Sequence, residues 1–375
     1  MNINVPIPDK NYKVLVRCIT YNHSKYICDA LNGFAIQETD FPFICMVVDD
    51  ASTDGNQEVI RQYANDNCDM SKAEISEDDI SKYIRVPHKT NVNCAFLFCL
   101  LKVNLYGKPE KQEIYKPYRA VCEYEALCEG DDYWIHPHKL QVQSNWLDTH
   151  PNYSMCHGDY IPYNRDVDRK KPALGILYKK QNSRLYDNPK DRFMAIINGY
   201  YHILTLTAFF RIECINGYLN SISEEEKNMK FMMGDGQLYL YSSQIGHIKY
   251  FSEIFAVYNQ HLGSASRNPL TKGLFTMSCH EMNIFYCQKY GYEIPKSLQE
   301  KYNNAYIDLL LNSPKEYNFK YPPFKLGIIN DFIISKLSEN SKFAKSYRKI
   351  IPFIYIYRNM KLKIRMVKRM ILNAI

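Results

Sequence analysis

The segment Cys128-Glu129-Gly130-Asp131-Asp132-Tyr133-Trp134 sets three carboxylates within four residues. It follows directly on residues 124–128, a run that reads as a short buried strand. Carboxylates this close repel one another, and at a strand end a divalent cation with oxygen ligands offsets that repulsion. A solvated turn is the other reading of an acidic triplet. Two neighbours favour a shaped site: Gly130 allows close backbone approach or positive φ, and Tyr133 with Trp134 adds aromatic surface beside the charges.

The elements that must position this cluster are read from apolar runs and their ends. Residues 14–19 are apolar except for Arg17 and lead into the polar turn Thr20-Tyr21-Asn22-His23-Ser24, then a helical pattern over 26–37. Residues 43–48 are continuously apolar, as a strand buried on both faces should be, and end abruptly in Asp49-Asp50-Ala51-Ser52-Thr53-Asp54-Gly55. Ser52 or Thr53 is placed to cap a helix that runs to about residue 65. Residues 68–81 read as a polar surface loop with room for a helical turn, 83–86 as a third strand closed by Pro87, and 94–105 as an apolar helix. Beyond Trp134, residues 137–147 show an amphipathic helical pattern, 159–188 are polar and irregular, and 204–211 suit a strand. Met232-Met233-Gly234-Asp235-Gly236-Gln237 opens a helix over 238–243, and 248–257 form a strand leading to Tyr258-Asn259-Gln260-His261. From residue 266 the pattern is helical, broken at Pro322-Pro323.

Alternating strands and helices predict an α/β fold: a mostly parallel twisted sheet flanked by helices. In such sheets ligands bind at the carboxyl ends of the strands. Residues 20–23, 49–50 and 129–132 all fall on that edge, while Arg17 is the one polar residue expected within the strands.

Composition narrows the function classes. The chain has 375 residues, 46% hydrophobic and 23% charged, enough for one large domain with an appendage. Its 32 tyrosines suit ring-lined grooves that hold sugars, although an AT-rich genome yields the same excess. Twelve cysteines contain no Cys-x-x-Cys pair and read as small buried hydrophobes in a reducing compartment. Residues 1–13 carry no apolar leader and no run of about 18 apolar residues occurs, so a cytoplasmic protein is expected. The net charge of +7 is concentrated: residues 324–375 carry +10, leaving −3 on the rest, which argues against nucleic acid as a partner.

Taken together, these stretches resemble the inverting glycosyltransferases of family 2, of the bacterial surface-polysaccharide type, which have the nucleotide-binding GT-A fold. The matching residues are Thr20-Tyr21-Asn22, residues 48–55, Glu129-Gly130-Asp131-Asp132-Tyr133-Trp134 with Lys139-Leu140, Gly234-Asp235-Gly236-Gln237-Leu238, and Tyr258 with His261 and Gly263. They keep the family's order over roughly the first 265 residues, which implies a GT-A domain at 1–265 and a helical region with a basic tail at 266–375. The resemblance implies that Thr20, Tyr21, Asn22 and Gly130 line the nucleotide pocket and that Asp49 and Asp50 bond the base and ribose. Glu129 and Asp131 stand where the family has Asp-x-Asp, with Asp131 on Mn²⁺ or Mg²⁺ against the diphosphate and His261 beside it. A glutamate in the first place departs from the commoner pattern. By the same resemblance Asp235 is the base, Gly234 leaves room for an acceptor sugar and Asp132 contacts substrate, while Trp134 is read either as stacking on a substrate sugar face or as packing beneath the site.

The activity so implied moves a sugar from a nucleotide-sugar, a UDP-sugar first, to a glycan or lipid-linked acceptor. A sugar nucleotidyltransferase is the second enzyme reading, but no glycine-rich loop follows the first strand. An inactive nucleotide-sugar-binding scaffold is the third, against which stand Asp131 and Asp235 together.

The tail carries its own expectation. Met360, Ile364, Val367 and Ile371 recur at helical spacing while Lys361, Arg365, Lys368 and Arg369 gather elsewhere, the pattern of an interfacial amphipathic helix. Each basic residue near an anionic leaflet adds about 1 kcal/mol, which would hold the protein peripherally on the cytoplasmic face of the inner membrane. The alternative is a helix packed on the body. Deleting residues 350–375 is expected to release the protein from anionic vesicles in a co-sedimentation assay; unchanged sedimentation rules membrane docking by the tail out.

Overall fold

The computed structural model describes residues 3–164, 186–261 and 271–312, with Ser264, Arg267 and Asn268 between them. Gly263, Pro322-Pro323 and the basic tail lie outside the described residues. The chain divides into two compact units: Met1–Lys230 with Asp235–His261, and Phe231–Gly234 with Leu262–Ile375.

The first unit is built on one sheet of ten strands: β1 (Val14–Thr20), β2 (Phe43–Asp49), β3 (Glu74–Glu77), β4 (Ser81–Pro87), β5 (Cys94–Leu101), β6 (Tyr124–Leu127), β7 (Tyr133–Trp134), β8 (Tyr153–Asn164), β9 (Phe209–Arg211) and β10 (His247–Gln260). Their order across the sheet is β3-β4-β5-β2-β1-β6-β9-β8-β10-β7. The centre, β5-β2-β1-β6, is parallel throughout, as is the pair β8-β10. The remaining neighbours, β3-β4, β4-β5, β6-β9, β9-β8 and β10-β7, are antiparallel. Helices in this unit are α1 (Ile27–Ala35), α2 (Asn56–Asn67), α3 (Glu110–Arg119), α4 (Lys139–Thr149), α5 (Pro189–Ile197), α6 (Ile212–Ser221), α7 (Glu224–Met229) and α8 (Gly234–Ile245), whose first residue falls in the second unit.

The central strands are apolar on both sides because both sides are covered. Val14, Val16, Cys45, Val47, Phe96 and Phe98 enter one core with Ile27, Leu31 and Phe34 of α1, while Leu15, Ile44, Met46, Leu97 and Cys99 enter a second with Ile114, Tyr115 and Tyr118 of α3. Period-2 partition of an unbroken apolar run is what a strand between two helical layers requires. This corrects the helix expected over 94–105: apolar on every side, residues 94–101 hold no helical stripe, and they pair with both β2 and β4 as β5.

Other expectations are also corrected. The loop at 68–81 has its helical turn as a 3₁₀ turn (Met70–Lys72), but it also holds the exposed edge strand β3, which was not expected. Neither Ser52 nor Thr53 caps α2, whose N-cap is Gly55 in the left-handed region (φ 87°); both residues instead bond the loop after β1. Strand β8 continues to Asn164, through the start of the stretch read as irregular. The strand expected at 204–211 is only Phe209–Arg211, preceded by a 3₁₀ turn at Thr205–Thr207 in which Leu206 O accepts the Trp134 indole N–H at 2.7 Å.

The packing of α1 on β7 depends on Gly33, where an added Cβ would lie 2.7 Å from Trp134 N. In the second unit, α9 (Lys272–Lys289) and α10 (Lys296–Asn312) pack on each other, and Ser278 Oγ accepts the Met232 N–H at 3.0 Å. No helix among the described residues is long and apolar enough to cross a membrane.

Beside Arg17 of β1, the adjoining strand β6 carries a charge of its own. Glu125 of β6 is fully buried, accepting from Arg17 Nε at 2.6 Å and from Arg119 Nε and Nη2 at 2.6 and 3.0 Å. Burial alone raises the pKa of this carboxyl, but Arg119 and Arg17 outweigh it and hold the group below the usual carboxylate range. Because the folded pKa is the lower one, the triad's stabilisation is complete above an unfolded value near 4.5 and is lost as pH falls through the depressed folded value. Glu125→Ala, which strands two cations, is expected to cost about 3–5 kcal/mol in urea unfolding at neutral pH. The difference from wild type should shrink in acid.

Candidate active site

The three parallel strands β2, β1 and β6 end in polar residues side by side, with Thr20 paired to Asp49 in the ladder. The loops after β1 and β2 then lock together. Asn22 and Ala51 both take left-handed backbone (φ 57° and 59°), and Asn22 N donates to Ser52 Oγ at 2.9 Å while its Oδ1 accepts the Thr53 N–H at 2.8 Å. Ser24 N donates to Asp54 Oδ2 at 2.9 Å. Non-glycine residues hold this conformation where surrounding bonds over-determine it.

Residues expected to meet the nucleotide divide sharply. Tyr21 and Asn22 are exposed. Thr20, Asp49 and Asp50, expected to line the pocket (Thr20) and to bond base and ribose (Asp49, Asp50), are buried, and their side-chain oxygens accept hydrogen bonds from the chain itself. Thr20 Oγ1 accepts from Asn56 Nδ2 at 3.0 Å. Asp49 accepts from Asn56 Nδ2 (2.7 Å), Gln57 Nε2 (2.8 Å) and Ser52 N (3.0 Å), tying β2 to the start of α2. Asp50 accepts from Lys111 Nζ of α3 at 2.5 Å and from Leu105 N at 2.6 Å. A buried carboxylate without such donors is far too costly to retain, and here folding supplies them.

The acidic loop after β6 sits directly against β1. Gly130 N donates to Ile19 O at 2.9 Å, and a Cβ at Gly130 would lie 2.6 Å from Thr20 Cβ and 3.0 Å from Ile27 Cδ1. Gly130 thus serves close approach and does not adopt positive φ. The end of β10 clamps this loop from the other side: Asn259 N donates to Asp132 Oδ1 at 2.8 Å, and Asn259 Nδ2 donates to Asp131 O. Asp132 is buried; burial first, then the charges of Asp131 and Glu129, raise its pKa well above the ordinary range.

That clamp delivers His261, the residue after β10, to Asp131. His261 Nε2 lies 2.9 Å from Asp131 Oδ2, and His23 Nε2 from the loop after β1 lies 3.8 Å from the same oxygen. Tyr26 stacks on His261, with ring centroids 5.0 Å apart. Burial opposes ionisation of Asp131, but the His261 hydrogen bond and the charge of His23 prevail and hold it below the usual range. One donor atom from each of His23, Asp131 and His261 lies within 4.8 Å of the others. Two donors each about 2.1 Å from one ion can lie at most about 4.2 Å apart, a bound that both measured separations satisfy. The trio fits a divalent cation.

Glu129, expected beside Asp131 as a ligand, is not one of the three. Burial first, then the charges of Asp235 and Asp131, push its pKa up to about 8 against the opposing Arg17. Asp235, in the first turn of α8, is therefore close to the acidic loop, and its Oδ2 accepts from Thr205 Oγ1 at 2.8 Å, with the Tyr239 hydroxyl at 3.5 Å. Gly234 opens the helix with open space where a Cβ would stand.

Of the two readings of Trp134, stacking on a sugar face and packing beneath the site, its burial fits the second. It is buried, with Phe34 edge-on at 4.9 Å and Lys139 Nζ over the ring at 4.2 Å. Lys139 is itself buried, bonded to Gln143 Oε1 at 2.7 Å, and burial pushes its ammonium down to about 7. The match at Trp134 and Lys139 therefore marks packing beneath the site. The residues that sequence reasoning missed are His23, named only as part of a polar turn, and Thr205, Lys111 and Glu125, which carry no local signal.

No protein-family model matches the chain. Uncharacterized proteins of Mycobacterium tuberculosis and Mycobacterium bovis are 35% identical over 138 residues, 37% of this chain and 32% of theirs. The chain thus aligns with about a third of the length of these curated relatives. Among solved structures, S. aureus TarS 1-349 in complex with UDP is similar at a TM-score of 0.46 and 16% identity, over 94% of this chain and 91% of that one. A mannosyltransferase from Pyrobaculum calidifontis in complex with GDP-Man and Mn²⁺ is similar at a TM-score of 0.42 and 12% identity, over 96% and 90%.

The tightest approach at this edge yields a test. Gly130→Ala must displace the Thr20 side chain and is expected to cost about 1–3 kcal/mol, read as a lowered thermal midpoint. An unchanged midpoint would mean that the acidic loop does not press on β1 as described.

Proposed function

We propose that the protein is a metal-dependent inverting glycosyltransferase that moves a hexosyl or N-acetylhexosaminyl group from a nucleotide-sugar, a UDP-sugar first, to a glycan or lipid-linked acceptor in surface-polysaccharide synthesis. The observation that carries this reading is the convergence, at the carboxyl edge of the parallel strands, of a cation-fitting trio around Asp131 with a separate carboxylate, Asp235, fixed by Thr205. A bound Mn²⁺ or Mg²⁺ would stabilise the charge that grows on the departing diphosphate.

This chain's own residues supply the rest. Asp131 and His261 would hold the cation, and the exposed Tyr21 and Asn22 present the nearest open surface for the nucleotide. Asp49 and Asp50 act at one remove, fixing the loops that carry Tyr21 and Asn22. Asp235 takes the proton of the acceptor hydroxyl as that oxygen attacks the anomeric carbon from the face opposite the diphosphate, which inverts the configuration. A positioned base of this kind contributes typically ~10²- to 10⁴-fold. The basic tail would keep the enzyme peripheral on an anionic membrane that carries the acceptor.

Two measurements test the reading. UDP with Mn²⁺ should raise the thermal midpoint of the wild type, and Asp131→Ala should abolish the metal-dependent part of the rise. Silence with UDP, GDP and other nucleoside diphosphates alike would sink it. Asp235→Asn should keep the UDP response while sugar transfer falls about 10²- to 10⁴-fold; full turnover in that variant would remove Asp235 as the base.

A further inference from the structure

We propose that His23 is a direct ligand of the cation together with Asp131 and His261, and that this set of two imidazoles and one carboxylate selects a first-row transition-metal dication such as Mn²⁺ over Mg²⁺. The proposal deepens the glycosyl-transfer reading by naming the cation class, and rests on that reading only for the cation's use. Its structural basis is three side chains of the first unit.

His23 meets Tyr26 and His261 edge-on, with ring centroids 6.3 and 6.2 Å apart, and approaches Asp131 at ion-pair distance. Nδ1 is buried without a hydrogen-bond partner among the described residues, and Nε2 stops 3.8 Å from Asp131 Oδ2, beyond hydrogen-bond length. A buried polar group left unpaired is costly, and each such group in a native structure calls for a reason. Co-ligation through Nε2 accounts for the spacing to Asp131, because 3.8 Å is too long for a hydrogen bond but suits two donors that share an ion, while Nδ1 stays outside the coordination. The side chains are shielded yet reachable: His23 is 17% exposed, Asp131 15% and His261 10%.

Three ligands drawn from the loop after β1, the loop after β6 and the end of β10 leave further coordination positions for oxygens of a diphosphate. The donor set decides the metal. Mg²⁺ takes oxygen ligands and is held by one or two carboxylates with water, whereas imidazole suits the transition ions, which bind nitrogen more strongly along the first row. The residue that departs from the expected pair, Glu129, is an oxygen donor absent from the trio, and His23 takes its place with nitrogen.

The test uses the full chain, stripped of metal and without nucleotide. Mn²⁺ binding is followed by electron paramagnetic resonance with Mg²⁺ as competitor, and ¹⁴N coupling to bound Mn²⁺ is read by pulsed methods. Wild type should bind Mn²⁺ at least about tenfold more tightly than Mg²⁺ and show coupling to two imidazoles. His23→Ala should lose one coupling and at least about tenfold in Mn²⁺ affinity, the size of effect that losing even an outer-shell partner produces. Equal affinity for Mg²⁺, or coupling to fewer than two imidazoles in the wild type, overturns the proposal whether or not the variant folds. A wild type that binds Mn²⁺ in this way yet gives no thermal response to any nucleoside diphosphate would leave the cation site standing and remove the glycosyl-transfer reading.

Discussion

Four carboxylates, Glu129, Asp131, Asp132 and Asp235, are crowded at one edge of the sheet, and their mutual repulsion in a shielded place is the constraint that the rest of the site answers. Each is accommodated differently. Asp131 stays ionised beside His261 and His23; Asp132 is buried against the Asn259 amide with its pKa raised; Glu129 is pushed up to about 8; Asp235 is fixed by the Thr205 hydroxyl. Glu129, Asp131 and Asp132, carboxyls all, are thereby given different proton affinities by their surroundings.

Holding such a cluster together demands a stiff support, and the parallel centre of the sheet supplies it. Strands β1 and β6 are joined beneath the site by the Arg17–Glu125–Arg119 triad, and Arg17 also lowers the pKa of Glu129 from below. Thus one buried cation serves the strands and the site at once. The loops above are tied by backbone bonds to side chains: Asn22 to Ser52 and Thr53, and Asp50 to Leu105. The buried aspartates after β2 hold loop shape, and solvent meets the exposed Tyr21 and Asn22.

Much of this was legible in the chain. Continuous apolar runs that stop at polar residues located β1 and β2 and put their clusters on one edge, and Gly130 declared a close approach by its lack of a side chain. The helix expected at 94–105 shows the limit: an apolar run of that length satisfies a buried helix and a buried strand equally, and only pairing with β2 and β4 decides between them. For Trp134 the chain left sugar stacking and packing beneath the site equally open, since a motif match does not reveal which ring faces are covered.

The sequence by itself determined the α/β class, the strand-end location of the polar clusters and the separation of a basic tail from a mildly acidic body. These follow from local periodicity and from where apolar runs end. Only the tertiary structure decided which polar groups face one another. His261 stands 130 residues from Asp131 in the chain and meets it because β10 runs parallel to β8 and is clamped to the acidic loop through Asn259. His23 comes within 3.8 Å of Asp131 because the loop after β1 and the loop after β6 are pressed together at Gly130, while Glu129 is set beside Asp235 and Arg17. Separations of a few ångströms across the sheet are fixed by the packing of both cores, and no local pattern in the chain encodes them.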